Sequence, residues 1–160
     1  MRSEEETNLA IEKYSDMIRR ICMVNLKNYA DAEDVFQTVF MKYILSSKAF
    51  ESEEHEKAWF IRVTINACKD IFKSFFRTKT DPIEVLNDYR NELSTQSEEI
   101  LRIILALPEK YRQVIYLHYY EGYNAPEMSR ILNKNTNTVY TLLARAKKLL
   151  KEELEGDFNG

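Results

Sequence analysis

Two sets of side chains in this sequence have the types and spacing needed to hold a nucleic acid. Near the C-terminus, Asn137, Tyr140, Thr141, Arg145 and Lys148 fall on one side of a helix turned by about 100° per residue, with Asn135 just before it. Asparagine and arginine can make paired hydrogen bonds to base edges, and Arg145 and Lys148 can neutralise phosphates. Earlier in the chain, Arg62, Asn66, Lys69, Lys73 and Arg77 recur at helical spacing, forming a cationic stripe with an amide inside it. Such a stripe suits a nucleic-acid backbone and a base. Each pattern also fits an ordinary solvated helix face, so neither decides the matter alone.

The C-terminal set needs a helix held at a defined angle, and the residues before it supply the means. Glu127-Met128-Ser129-Arg130-Ile131-Leu132 reads as a short helix whose apolar side is Met128, Ile131 and Leu132. Asn133 stands where the chain must turn, and asparagine tolerates the left-handed conformation better than other non-glycine residues. Asn135 is placed to cap the next helix. In that helix Val139, Leu142, Leu143, Ala146 and Leu150 lie opposite the polar set. The pattern is a helix-turn-helix, whose second helix can enter the DNA major groove.

With 160 residues, few glycines and prolines and long periodic segments, the chain is expected to be all-α, as one medium domain or two small ones. No apolar run approaches bilayer length and no signal-peptide pattern opens the chain, so no membrane insertion is expected. Cys22 and Cys68, each in an apolar helical segment, are expected as buried free thiols in a reducing cytoplasm. His55 and His118 lack partners at metal-ligand spacing, and no glycine-rich phosphate loop or nucleophile–base pair appears, so no cofactor and no enzyme are expected. The net charge of −3 opposes non-specific coating of nucleic acid, yet the acidic residues cluster at 4–6, 31–34, 51–56 and 152–155, away from both candidate faces.

The N-terminal half reads as three helices. The first runs from about Thr7 to Tyr29 on Tyr14, Ile18, Ile21 and Cys22. Asp31 is expected to cap the second, which runs to Leu45 with Val35, Phe36, Val39, Phe40 and Tyr43 inward. Its other side carries Asp34, Gln37, Thr38, Met41 and Leu45, two apolar residues among polar ones. A mixed face of this kind is either a protein docking site or a surface that another helix covers. After an acidic loop at 50–56, the third helix runs from about Lys57 to Phe76. Its apolar side is Ile61, Ile65, Cys68, Phe72 and Phe75, with Trp59 near its start; Phe75 and Phe76 either stack on bases or close the core.

Residues 78–97 are polar and aperiodic and are expected to be a flexible linker. Periodicity resumes at Glu98 with Ile100, Leu101, Ile104 and Leu105; Pro108 opens a helix carrying Tyr111, Val114, Ile115 and Leu117, and Gly122 ends it. With the helix-turn-helix, whose last helix is expected to reach Leu154, this makes a four-helix domain.

These residues together resemble a known family. Asp31-Ala32-Glu33-Asp34 with Gln37, Phe40 and Tyr43 is similar to the clamp-binding helix of bacterial sigma factors, and Trp59, Ile65, Asn66 and Asp70 to the helix that follows it. Leu107-Pro108, Tyr111-Arg112-Gln113-Val114, Tyr120-Glu121-Gly122-Tyr123, Glu127-Met128-Ser129, Thr138-Val139 and 145–150 resemble their C-terminal domain. The small two-domain layout resembles the extracytoplasmic-function subgroup of the sigma-70 family.

The resemblance implies a cytoplasmic transcription initiation factor with domains at 1–77 and 98–160. Its partners would be the largest and second-largest subunits of the RNA polymerase core, promoter DNA and, as in much of the family, an anti-sigma factor. Asp34, Gln37, Thr38 and Met41 would meet the polymerase clamp. Arg62, Asn66, Lys69 and Lys73, with the 50–56 loop, would take the −10 strand. Asn135, Asn137, Tyr140, Thr141, Arg145 and Lys148 would read the −35 duplex. Relatives often carry lysine where Tyr140 stands and arginine where Leu142 stands, so tight promoter binding is expected only with polymerase present. A helix-turn-helix regulator acting without polymerase is the competing expectation; it leaves the Asp34, Gln37 and Met41 face unused.

Overall fold

A serine cap and three carboxylates start the first helix. Ser3 Oγ accepts from the Glu6 N–H at 3.1 Å, and Glu4, Glu5 and Glu6 stand where the helix dipole is positive. The helix, α1, runs Glu4–Asn25, earlier at both ends than its apolar periodicity implied. The computed structural model describes residues 1–26, 29–74 and 95–159, among which no strand occurs. After α1 come α2 (Tyr29–Leu45), α3 (Glu53–Ser74), α4 (Thr95–Leu105), α5 (Glu109–Ile115), α6 (Ala125–Leu132) and α7 (Thr136–Asn159). The chain divides into two compact units, Met1–Glu92 and Leu93–Gly160. Phe75, Phe76, Arg77 and the Val85–Leu86 patch lie outside the described residues, as does the expected linker as far as residue 94.

In the first unit α1, α2 and α3 pack against one another in all three pairings. Two expectations about how these helices begin need correction. Asp31 is not the cap of α2 but lies in its first turn. The acidic 50–56 segment is a loop only as far as Ser52; Glu53, Glu54 and Glu56 form the first turn of α3. Ser52 Oγ accepts from the His55 N–H at 3.1 Å, and carboxylates are stabilised at a helix N-terminus. A dense acidic run without apolar periodicity therefore looked like a loop while serving as a helix start.

Phe60, which the periodicity reading missed, is fully buried at the centre of this unit. Its ring centroid lies 4.5 Å from Tyr14, 4.9 Å from Tyr43, 5.0 Å from Trp59 and 5.6 Å from Phe40. Each such pair is worth about 0.5–1.5 kcal/mol beyond the area it buries. One turn before Phe60, Glu56 accepts hydrogen bonds from Tyr14 Oη (2.9 Å) and Tyr43 Oη (3.3 Å), so one carboxylate joins three helices. Cys22 and Cys68 are buried free thiols, as expected, but they are neighbours in space. Their mutual hydrogen bond, then burial, holds the Cys22 thiol protonated well above its ordinary range.

In the second unit α4 begins at Thr95, so regular structure starts before the expected Glu98. Leu101, Ile104, Leu105, Tyr111, Val114, Ile115 and Leu117 are buried, as their spacing required. The helix opened by Pro108 continues past α5 as a π-helical turn, Tyr116–Tyr120, in which the Glu121 N–H donates to Tyr116 O at 3.3 Å. Gly122, at φ 82°, then reverses the chain, and the Tyr123 N–H donates back to Leu117 O at 3.0 Å. The last helix passes the expected Leu154 and reaches Asn159.

The Glu56 junction makes alkaline stability a test of the first unit. Burial, then the Glu56 hydrogen bond and charge, raises the pKa of Tyr14, and burial followed by the Glu56 charge raises that of Tyr43. A folded-state pKa above the free value favours the protonated, folded form. The resulting stability is complete below about pH 10, the pKa of a free tyrosine, and is lost as pH rises beyond it. Urea unfolding between about pH 8 and 11 should show that decline, and Tyr14→Phe should flatten it while lowering stability at neutral pH.

Candidate nucleic-acid interface

The geometry of the C-terminal candidate face begins one helix upstream of it. Asn124 and Glu127 form a reciprocal cap: Asn124 Oδ1 accepts from the Glu127 N–H at 2.9 Å, and Glu127 Oε1 accepts from the Asn124 N–H at 3.0 Å. Asn133 ends α6 in the left-handed conformation at φ 52° and ψ 50°, as its position in the sequence required. Asn135 then caps α7, its Oδ1 accepting from the Asn137 N–H at 2.8 Å. Ser129 closes the turn from the α6 side. Its hydroxyl donates to Lys134 O at 2.5 Å and accepts from Thr136 Oγ1 at 3.2 Å.

This turn sets the rotation of α7. Val139, Leu143 and Ala146 are buried, whereas Asn135, Asn137, Tyr140, Thr141, Arg145 and Lys148 are all exposed. Tyr140 is 54% exposed, unusual for a large ring on a helix packed into its own domain. Two of these side chains already have local duties: Asn135 through its cap, and Thr141, whose hydroxyl donates to Asn137 O at 3.0 Å. Lys147, absent from the sequence-derived set, is also exposed and lies 5.9 Å from the Tyr119 ring centroid. Arg112, in α5 of the same unit, is an unusual buried cation. It is buried with its Nε unpaired, and burial, partly opposed by Glu109, lowers its pKa.

In the first unit Arg62, Asn66 and Lys69 are exposed on α3 while Phe60, Ile61, Thr64, Ile65 and Cys68 are buried between them. Lys73 follows on the same helix; its side chain lies outside the described ones. On α2, Asp34, Gln37, Thr38 and Met41 are exposed together, with Leu45 at the same helix's end. Met41 is 56% and Leu45 65% exposed, so no described helix of the first unit covers this face. Within that unit, two apolar side chains therefore stand exposed among polar ones.

Comparison with known proteins accounts for both units. Residues 10–78 match the model for sigma-70 region 2, and residues 97–150 match the model for sigma-70 region 4. The RNA polymerase sigma factor SigZ of Bacillus subtilis is 30% identical over 133 residues, covering 78% of this chain and 73% of the relative. The chain belongs to the extracytoplasmic-function sigma factors. SigV of the same organism is 29% identical over 142 residues, with 84% and 82% of the two chains covered. The sigma factor RpoE of Bartonella quintana, solved with the anti-sigma factor NepR, shares the fold at TM-score 0.68 and 16% identity over 94% of this chain and 98% of that one.

As a sigma factor, the protein directs core RNA polymerase to promoters and initiates transcription there; a regulator acting without polymerase is not the favoured reading. No helix among the described residues is long and apolar enough to cross a membrane.

The turn of this sigma factor offers a direct stability test. Asn133 holds a left-handed conformation that costs most L-residues about 1–2 kcal/mol and glycine nothing. Asn133→Ala should therefore lower stability by about 1 kcal/mol, and Asn133→Gly should leave it unchanged or higher, both read from urea midpoints.

Proposed function

We propose that three exposed faces of this sigma factor divide the work of initiation. Asp34, Gln37, Thr38 and Met41 on α2 meet the clamp helices of the largest polymerase subunit, with the apolar patch at Met41 and Leu45 as the anchor. Arg62, Asn66, Lys69 and Lys73 on α3, with the loop that precedes it, take the unpaired −10 strand. Asn135, Asn137, Tyr140, Thr141, Arg145 and Lys148 read the −35 duplex, while the same domain rests on the flap of the second-largest subunit. Residues 1–77 then serve polymerase binding and −10 opening, 78–97 connect, and 98–160 serve −35 recognition.

The observation that carries this reading is that every described candidate side chain is exposed while Val35, Val39 and Phe40 on α2, Ile65 and Cys68 on α3, and Val139, Leu143 and Ala146 on α7 are buried between them. The physical logic is consistent. Captured backbone charge and base contacts offset the unstacking cost of an opened strand, so the factor itself performs no bond chemistry and is not an enzyme. The site of action is the cytoplasm, where the polymerase works. An anti-sigma protein of the kind bound by RpoE of Bartonella quintana would compete for the exposed apolar residues of α2.

In vitro transcription with core polymerase on promoters varied at −10 and −35 tests the assignment. Arg62→Ala with Lys69→Ala should reduce promoter opening more than polymerase binding; an equal loss of both contradicts the −10 role. Asn137→Ala should relax base preference at −35. Lys148→Ala should weaken all sequences alike and lower the slope of binding against salt by about one. If the two variants behave identically, the division between base and phosphate contacts is wrong.

A further inference from the structure

The loop between α2 and α3 is held by a residue that no motif singles out. Arg2, just before α1, sends its main-chain N–H to Ile44 O at 2.9 Å. Its side chain donates from Nε to Tyr43 O at 3.0 Å and from Nη2 to Lys48 O at 2.5 Å. The guanidinium lies 4.2 Å from the Tyr43 ring centroid and 5.3 Å from that of Phe50, and Nη1 pairs with Glu6 at 3.3 Å. Only 11% of this side chain is exposed. At the end of α2, where helical partners run out, Tyr43 O also accepts from the Ser46 N–H at 3.2 Å, and Arg2 both completes that helix end and fastens the first residues of the loop to it.

The far end of the loop is fastened to α3. The Glu51 N–H donates to His55 Nδ1 at 3.1 Å, and the Phe50 ring stands edge-on to His55 at 5.3 Å and to Trp59 at 5.8 Å. Between these two anchors Ser47, Lys48, Ala49, Glu51 and Ser52 are exposed. Arginine is required rather than any cation, because two carbonyls on separate residues are met by two N–H donors of one planar guanidinium. Its charge is spent on those carbonyls and on Glu6, so its contribution to a bound strand is shape, not attraction.

We propose that Arg2 is the positioning residue of the loop that receives the −10 strand, and that base preference at −10 depends on its guanidinium. This rests on the −10 assignment of that loop. Two readouts on the full chain test it with Arg2→Ala and Arg2→Lys. In the free protein, Trp59 is the only tryptophan and touches Phe50, so its fluorescence quenching by iodide should increase in both variants. With core polymerase, transcription from promoters carrying each base at every −10 position should show discrimination reduced about tenfold, the loss of a hydrogen bond to a charged group. Discrimination at −35 and affinity for core should stay at the wild-type level.

Uniform weakening on all −10 sequences, or full discrimination in Arg2→Lys, overturns the proposal: the first indicates mere support of the fold and the second mere charge. Unchanged Trp59 quenching in both variants also overturns it. A wild-type chain without −10 discrimination overturns the loop assignment together with the proposal, whereas wild-type discrimination retained in both variants overturns the proposal alone.

Discussion

A single carboxylate among aromatic rings sets the geometry on which the first unit depends. Glu56 accepts from Tyr14 on α1 and Tyr43 on α2 while sitting one turn before the buried Phe60 on α3. A helix is free to rotate about its axis until something specific stops it, and apolar packing alone is non-directional. Two hydroxyls on one carboxylate are directional. With α3 held at that rotation, Arg62, Asn66 and Lys69 face water. One residue of rotation would turn the stripe by about 100° and carry cations towards the core, at a desolvation cost that the fold could not recover.

The second unit solves the same problem with backbone conformation. Asn133 in the left-handed region, Asn135 at the cap and Ser129 between Lys134 and Thr136 determine where α7 starts. From that start, Val139, Leu143 and Ala146 can only point inward, and Asn137, Tyr140, Thr141, Arg145 and Lys148 outward. Thus each presented face is the remainder of a burial problem that a few polar contacts have made unique.

That origin explains what could be read from the chain beforehand. Faces follow from period, and period is local, so the exposed sets on α2, α3 and α7 and the turn at Asn133 were legible in the sequence. Contacts between distant residues leave no periodic trace. Glu56 looked like one more acid in a loop, and nothing in the sequence drew attention to Arg2, because they have partners 42 and 46 residues away in Tyr14 and Lys48. The π-helical turn at Tyr116–Tyr120 was hidden for another reason: its residues continue the helical period, and only the later reversal at Gly122 reveals the extra residue.

On the proposed division of work, the net charge of −3 and the exposed Tyr140 on α7 predict weak binding of DNA by the factor alone. Affinity would then come from holding two units on one promoter through polymerase, each site raising the effective concentration of the other. The most direct measurement is a footprint of a cognate promoter with the factor alone, with core polymerase alone and with both at physiological salt. Protection of the −35 and −10 elements only when both are present is the expected result. Equal protection by the factor alone would contradict polymerase-dependent recognition.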